Sequence, residues 1–336
     1  MDPSMHSSAS QHLLVTGGSG FIGSHLVAHL LELGHRVDVV DDLSTGRLSN
    51  IEGLLSSHSE RLRFMHADLA GWLVGPGANS RYDAIYHLAA AVGVKLVVDD
   101  PISTIETNIV QTSAVLEHVR DHGTPLFIAS TSEVYGKSEA IPFHEESDIT
   151  FGPTSRSRWS YACSKAIDEY LGLAHSQRHG TPTVIARFFN TVGPRQLGKY
   201  GMVLPSFVSA AVEGRSIQVY GDGEQSRCFC DVRDIVPILP RMLENQECHG
   251  RVFNLGNDQP ITINALARLV CDTLDSESKI EKIPYSEAYA PGFEDLVARV
   301  PDLSRIREVL DFRPTYPLTQ TILDLARLVD RGTQPS

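Results

Sequence analysis

The 336-residue chain is poor in cysteine, with five, at Cys163, Cys228, Cys230, Cys248 and Cys271. An odd count without a Cys-x-x-Cys pair supplies neither a disulfide framework nor a thiolate metal site. A reducing, cytoplasmic setting is therefore expected, and no metal. Positive charge is also scarce. Lys and Arg number 29 against 41 Asp and Glu, a net charge of −12. That balance argues against nucleic acid or an anionic membrane surface as a partner. An anionic small substrate stays within reach where arginines are gathered locally. Long apolar runs are missing too, and none is long enough to span a bilayer. The first eleven residues are polar and Ser-rich, with neither a basic start nor an apolar centre. They read as a disordered tail rather than a signal peptide. No internal repeat or low-complexity linker follows.

What is present is 42% hydrophobic, enough for one large core or for two lobes sharing a sheet. Leu13 to Thr16 reads as a short buried strand. Gly17, Gly20 and Gly23 follow at GxxGxxG spacing, with Phe21 and Ile22 between them, and a helical run begins at Ser24. Val37 to Val40 is a second strand, ending in Asp41 and Asp42. The glycines permit a tight turn and close backbone approach to a pyrophosphate held at a helix N-terminus. An acid after the second strand can accept from both ribose hydroxyls and would repel a 2′-phosphate, so NAD is favoured over NADP. A Gly-rich turn alone would say little; strand, glycines, helix, strand and acid in this order say a dinucleotide.

Further α/β units follow. Arg63 to Asp68–Leu69 is a strand ending in an acid, readable as an adenine contact or as a helix N-cap. Tyr82 to Ala91 is a strand ending in small residues, Leu88, Ala89 and Ala90 among them, which allow a cofactor to approach closely. His87 reads as a packed strand-end residue. A long helix from Pro101 to Arg120 contains Asn108. The run Pro125 to Ala129 then feeds into Ser130, Thr131, Ser132 and Glu133, a buried parallel strand opening onto a cleft. Tyr161 and Lys165 stand four apart on an expected helix, and so share a face. A Lys near a Tyr favours phenolate and makes a usable base. After the strand Thr183 to Asn190 the βα rhythm breaks. A strand at Ser226 to Asp231 and a helix at Asp234 to Leu243 are expected, and Val252 to Gly256 is expected to return to the main sheet. The fold class is α/β: a Rossmann doubly wound parallel sheet with a smaller interleaved α/β substrate lobe. Residues 12–190, joined by about 228–275, form the NAD-binding domain, and 191–227 with 276–330 form the lobe.

Taken together, these residues resemble the extended short-chain dehydrogenase/reductase superfamily, the NAD-dependent epimerase/dehydratase family, in its branch acting on nucleotide sugars. The markers are the glycines from Gly17, Asp41, Asp68–Leu69, His87 to Ala90, Ser130 to Gly136, Tyr161 with Lys165, and Gly221 to Gly223 with Arg227. The resemblance implies NAD as cofactor and a homodimer through the helices around Asn108 and Tyr161. It also implies that Tyr161 takes the proton of a sugar 4-hydroxyl, that Lys165 holds the nicotinamide ribose, and that Thr131 bonds the same sugar oxygen. The Thr131-Ser132-Glu133 triplet is similar to that of UDP-glucuronate decarboxylases. Dehydratases carry an acid where Ser132 stands, and epimerases a small residue where Glu133 stands. The stretches Gly152 to Tyr161 and Gly292 to Pro301 resemble bacterial decarboxylases. By that match Arg299 is a catalytic or carboxylate-binding arginine, and Arg158, Asn190, Gln218, Arg227 and Phe293 are substrate contacts. Phe293 and Gln218 depart from the family's Tyr and Lys, and the Leu96 to Val98 stretch lacks its aromatic contact. Asn190-Thr191-Val192 is closer to epimerases, which leaves a UDP-sugar 4-epimerase as the other reading.

Overall fold

The computed structural model describes residues 9–91, 100–196, 202–288 and 298–330. The first six strands are β1 (His12–Thr16), β2 (Arg36–Asp41), β3 (Leu62–His66), β4 (Ala84–His87), β5 (Leu126–Thr131) and β6 (Thr183–Phe188). Short strands follow: β7 (Thr191–Val192), β8 (Ile217–Tyr220), β9 (Ser226–Cys228) and β10 (Cys230–Asp231). The last are β11 (Arg251–Leu255), β12 (Pro260–Thr262), β13 (Ile280–Ile283) and β14 (Ala298–Arg299).

Seven strands form the main sheet in the order β11-β6-β5-β4-β1-β2-β3, and every pairing in it is parallel. Both faces are covered, which is why these strands read as continuous apolar runs. Alternate residues of β1 serve opposite faces: Leu13 and Val15 enter one core, Leu14 the other. The chain leaves β1 for β2 and β3, then returns to place β4 on the other side of β1. Ligands of such sheets bind above the strand ends at that reversal. The expected return of residues 252–256 to the sheet is realised as β11, paired with β6.

Two long helices flank this crevice. Pro101–Arg120 is started by Asp100, whose side chain accepts from the Ser103 amide, with proline in the first turn. Arg158–His179 is closed by Gly180 at φ 69°. A second core joins Leu204, Phe207, Ile217, Val219, Leu266 and Leu325. The cores cross the domain division expected from the sequence in two places. The helix Ile263–Leu274 buries Leu266, Ala267 and Val270 in the lobe core, while Ile306, Leu310 and Phe312 join the main core. Apolar residues at helical spacing fix that a face is buried, but not against which body. Two local expectations also differ. The strand expected over 226–231 is split into β9 and β10, because Ser226–Cys228 pairs with β12 and β14 while Cys230 and Asp231 pair with β7. The helix expected from Asp234 to Leu243 is two, Val232–Ile235 and Ile238–Glu244, with Pro237 between them.

Candidate active site

The cofactor half is made largely of backbone. Gly17 sits at φ +68°, and a Cβ there would lie 2.8 Å from the Ala89 Cα. A Cβ at Gly23 would collide with the Gly17 carbonyl. These are the close approaches the glycine spacing implied. The helix Phe21–Glu32 begins at Gly20 with no side-chain cap, so its first N–H groups are left for an anion. Asp41 is buried, accepts from the Ser19 and Leu43 amides at 2.9 Å each, and is pushed above the usual carboxylate range by burial. These residues fit a dinucleotide. Asp42 turns to its own loop and accepts from the Ser44 amide and hydroxyl. Asp68 caps its helix by accepting from the Gly71 amide at 2.7 Å, with Leu69 buried behind it. Of the two readings of Asp68, the cap is the one this geometry makes. Leu88, Ala89 and Ala90 are half-buried at the end of β4. Asn108 is buried; its Oδ1 accepts from the Ala91 amide at 2.8 Å and its Nδ2 donates to Ser164 at 3.0 Å. It braces the end of β4 against the Tyr161 helix.

The reactive half sits at the end of β5. Thr131 closes the strand and its hydroxyl accepts from the Glu133 amide at 3.3 Å. That contact starts a tight helical turn, Ser132–Tyr135, closed by Gly136. Ser132 is buried within it. The Thr131 hydroxyl lies near enough to the Tyr161 phenol to lower its pKa, so strand end and helix meet at the site. Arg299 arrives from β14 and lies 3.5 Å from Glu133. The Arg299 residue is buried, and its Nε has no hydrogen-bond partner among the described residues. β14 runs parallel to β9 with Arg299 opposite Arg227. Asn190, at φ +33°, donates to the Cys228 carbonyl at 3.0 Å and joins the end of β6 to the same strand. Two arginines therefore stand side by side near the catalytic turn, a local positive ledge in an acidic protein. The Arg158 guanidinium lies 5.6 Å from the Trp159 ring. Gln218 is exposed on β8, in the two-stranded sheet with β13. Phe293, and Leu96 to Val98, lie outside the described residues.

One sequence expectation is not met. Lys165 does not make Tyr161 more acidic in this arrangement. Its ammonium is 2.8 Å from Asp168, buried on the same helix. Burial pushes the Tyr161 phenol well above its ordinary value, and the charges of Glu133 and Asp168 push the same way. Only the Thr131 hydroxyl pulls it down.

Sequence reasoning also missed the residues behind the site. Glu169 accepts from Ser130 and from Arg187, whose Nε and Nη2 lie 2.9 and 2.7 Å from its two oxygens. Arg187 covers the Tyr135 ring at 4.7 Å, and the Tyr135 hydroxyl donates to Asn254 at 2.7 Å. This network ties β5, β6, β11 and the helix together beneath the catalytic turn. Two carboxylates next to each other on a helix, as at 168 and 169, usually mark a solvated face. Only their spacing from Lys165, three and four residues on, hinted at something else.

A family profile described as "NAD dependent epimerase/dehydratase family" matches residues 13–256. The UDP-N-acetyl-alpha-D-glucosaminuronate decarboxylase of Bacillus cytotoxicus is 37% identical, over 91% of this chain and 94% of that protein. UDP-glucuronic acid decarboxylase 1 of Xenopus tropicalis is 35% identical, over 92% of this chain and 70% of that protein. The UDP-glucose 4-epimerase of Thermotoga maritima, solved with UDP-glucose, superposes with a TM-score of 0.83 at 27% identity, covering 96% of this chain and 99% of that one. The chain belongs to the NAD dependent epimerase/dehydratase family, and NAD is its cofactor.

Proposed function

We propose that this protein is a UDP-glucuronate decarboxylase. The observation that carries the reading is the meeting of Glu133 and Arg299 beside Thr131 and Tyr161. A buried guanidinium with an unpartnered Nε is suited to a substrate carboxylate. The relatives named decarboxylases support the same reading. The Gly17–Gly23 cradle and Asp41 would hold NAD, and Lys165 its nicotinamide ribose.

The chemistry follows from the residues. Tyr161 must first lose its own proton, against the burial that raises its pKa; it then takes the proton of the sugar 4-hydroxyl, which Thr131 holds in line. NAD held by the Gly17–Gly23 cradle and Asp41 would supply the acceptor for the C4 hydride and the means of returning it. The new ketone places the C6 carboxylate β to a carbonyl. The C5–C6 bond then breaks, carbon dioxide leaves, and its electron pair moves to the C4 oxygen as an enolate. Thr131 and the Tyr161 phenol donate to that oxyanion. A proton returns to C5, and Glu133 is within the site to relay it. Ser132 stands where a dehydratase needs an acid, and its hydroxyl is a poor proton donor, so water loss is disfavoured.

The test is incubation of the protein and NAD with UDP-glucuronate. The expected result is carbon dioxide and a UDP-pentose, with accumulated NADH reporting any keto sugar released before reduction. Mass-neutral isomerisation would instead establish a 4-epimerase. The Bacillus cytotoxicus relative makes UDP-N-acetylglucosaminuronate the second substrate to try. A second copy of the chain would cover Ile102, Val110, Ile167 and Tyr170, exposed at 68, 54, 41 and 66% on the two long helices. A monomer in sedimentation at micromolar concentration would refute that dimer. Among the described residues no helix is long and apolar enough to cross a membrane. With five free cysteines, a cytoplasmic location fits this reading.

A further inference from the structure

Behind Lys165 runs a buried chain of hydrogen bonds that the proposed reaction does not use. The Ala89 amide donates to the Thr16 hydroxyl at 3.2 Å. Thr16 Oγ1 lies 2.8 Å from His87 Nδ1, and His87 Nε2 lies 3.1 Å from Thr112 Oγ1. Asp168 Oδ2 accepts from Lys165 Nζ at 2.8 Å, and its Oδ1 has no hydrogen-bond partner among the described residues. The side chains of this chain belong to residues no more than 2% exposed.

The amide at one end can only donate, and His87 is held neutral by burial, its pKa lowered to about 3, so one ring nitrogen donates and the other accepts. His87 faces Lys165, and Asp168 is the side chain that meets the Lys165 ammonium directly.

We propose that Asp168 is a positioning residue for the Tyr161–Lys165 pair: it anchors the Lys165 ammonium, offsets its charge, and so sets the pH at which Tyr161 gives up its proton. The charged groups facing this pair are few. Glu133 approaches Tyr161 from the turn after β5, with Arg299 beyond it. Asp168 comes from the same helix, with Glu169 next to it. His87, from β4, faces Lys165 and is neutral. Asp168 is thus the only carboxylate in direct contact with Lys165 among the described residues. It also acts on Tyr161 in its own right. Removing its charge removes one negative neighbour from the phenol and leaves the ammonium's field uncancelled. Both changes favour phenolate.

The inference rests on Tyr161 being the base of the proposed reaction, but its test needs no sugar, so a wrong substrate leaves it standing. The probe is the ultraviolet phenolate absorbance of the NAD-bound protein titrated with base, with the Tyr161→Phe titration subtracted to isolate Tyr161. In Asp168→Asn the midpoint is expected to fall by about one pH unit or more, giving roughly tenfold more phenolate at a given pH. Asp168→Glu, which keeps the charge, is expected to leave the midpoint near that of the unaltered protein. A folded Asp168→Asn protein whose midpoint is unchanged or higher overturns the proposal, since a merely structural role would lower the melting temperature and leave the midpoint in place. If Asp168→Asn does not fold, Asp168→Ser, equally uncharged, decides by the same criterion.

Discussion

Asp168 and Glu169 are consecutive, both buried, and aimed at different machinery. Glu169 is saturated. It receives a fork of guanidinium hydrogen bonds from Arg187 and a hydroxyl from Ser130, and Arg187 continues to the Glu145 carbonyl at 3.2 Å. Asp168 holds one ammonium through one oxygen, and its other oxygen has no partner among the described residues. A planar bidentate pair is hard to exchange, whereas an ammonium on a flexible stem can be shared with an incoming ligand. One residue therefore welds the sheet to the helix, and its neighbour leaves the reactive lysine adjustable. The lesson is that burial and charge alone do not separate scaffold from chemistry; the geometry of the partner does.

Three experiments break or sharpen this contrast. The largest effect is expected on the reactive side. Tyr161→Phe should lower turnover by about 10²–10⁴-fold, the usual range for a lost general base, while an NAD titration stays unchanged. Next comes the welded side. Arg187→Met leaves the Glu169 charge buried without its cation, and the cost should be about 3–5 kcal/mol. It is read as a lowered urea midpoint, while the Tyr161 titration of the protein that remains folded stays in place. A shift in that titration would merge the two networks into one. The smallest effect concerns the cofactor cradle. The Asp41 pKa is raised by burial, and its carboxylate must be charged to accept from a ribose. NAD affinity should therefore fall as pH drops through that raised pKa, starting at a higher pH than for an ordinary carboxylate. Asp41→Asn should bind NAD less tightly by about 1.5–3 kcal/mol and lose this pH dependence. Calorimetry across the acid range checks both.

The parts of the molecule legible in the sequence are those set by local rules. Gly17 and Gly23 announced the cradle because only a missing Cβ allows those approaches. The apolar runs of β1, β2, β4, β5 and β6 announced a sheet covered on both faces. Tyr161 and Lys165 could be placed on one helical face by spacing alone. What the sequence withheld depends on long-range pairing. Nothing local says that Ala298–Arg299 pairs with Ser226–Arg227, or that Asp168 lies beneath Lys165 rather than in water. The effect of Lys165 on Tyr161 was misjudged for that reason: the pair was visible and its counter-charge was not. Asp68 shows the reverse case, a residue whose reading as a helix cap is realised in its hydrogen bond to Gly71.

The Glu133–Arg299 contact spans 166 positions of chain, and this gives the protein a history as well as a shape. The last strand of the main sheet ends at Leu255, so a ribosome has delivered every strand of the cofactor cradle before it delivers Arg299. At about 5–20 residues per second, Arg299 emerges several seconds or more after Glu133. All seven strands of the main sheet are thus synthesised before the guanidinium that completes the reactive corner. The corner therefore closes only after the whole main sheet has been delivered, because its two halves lie 166 positions apart.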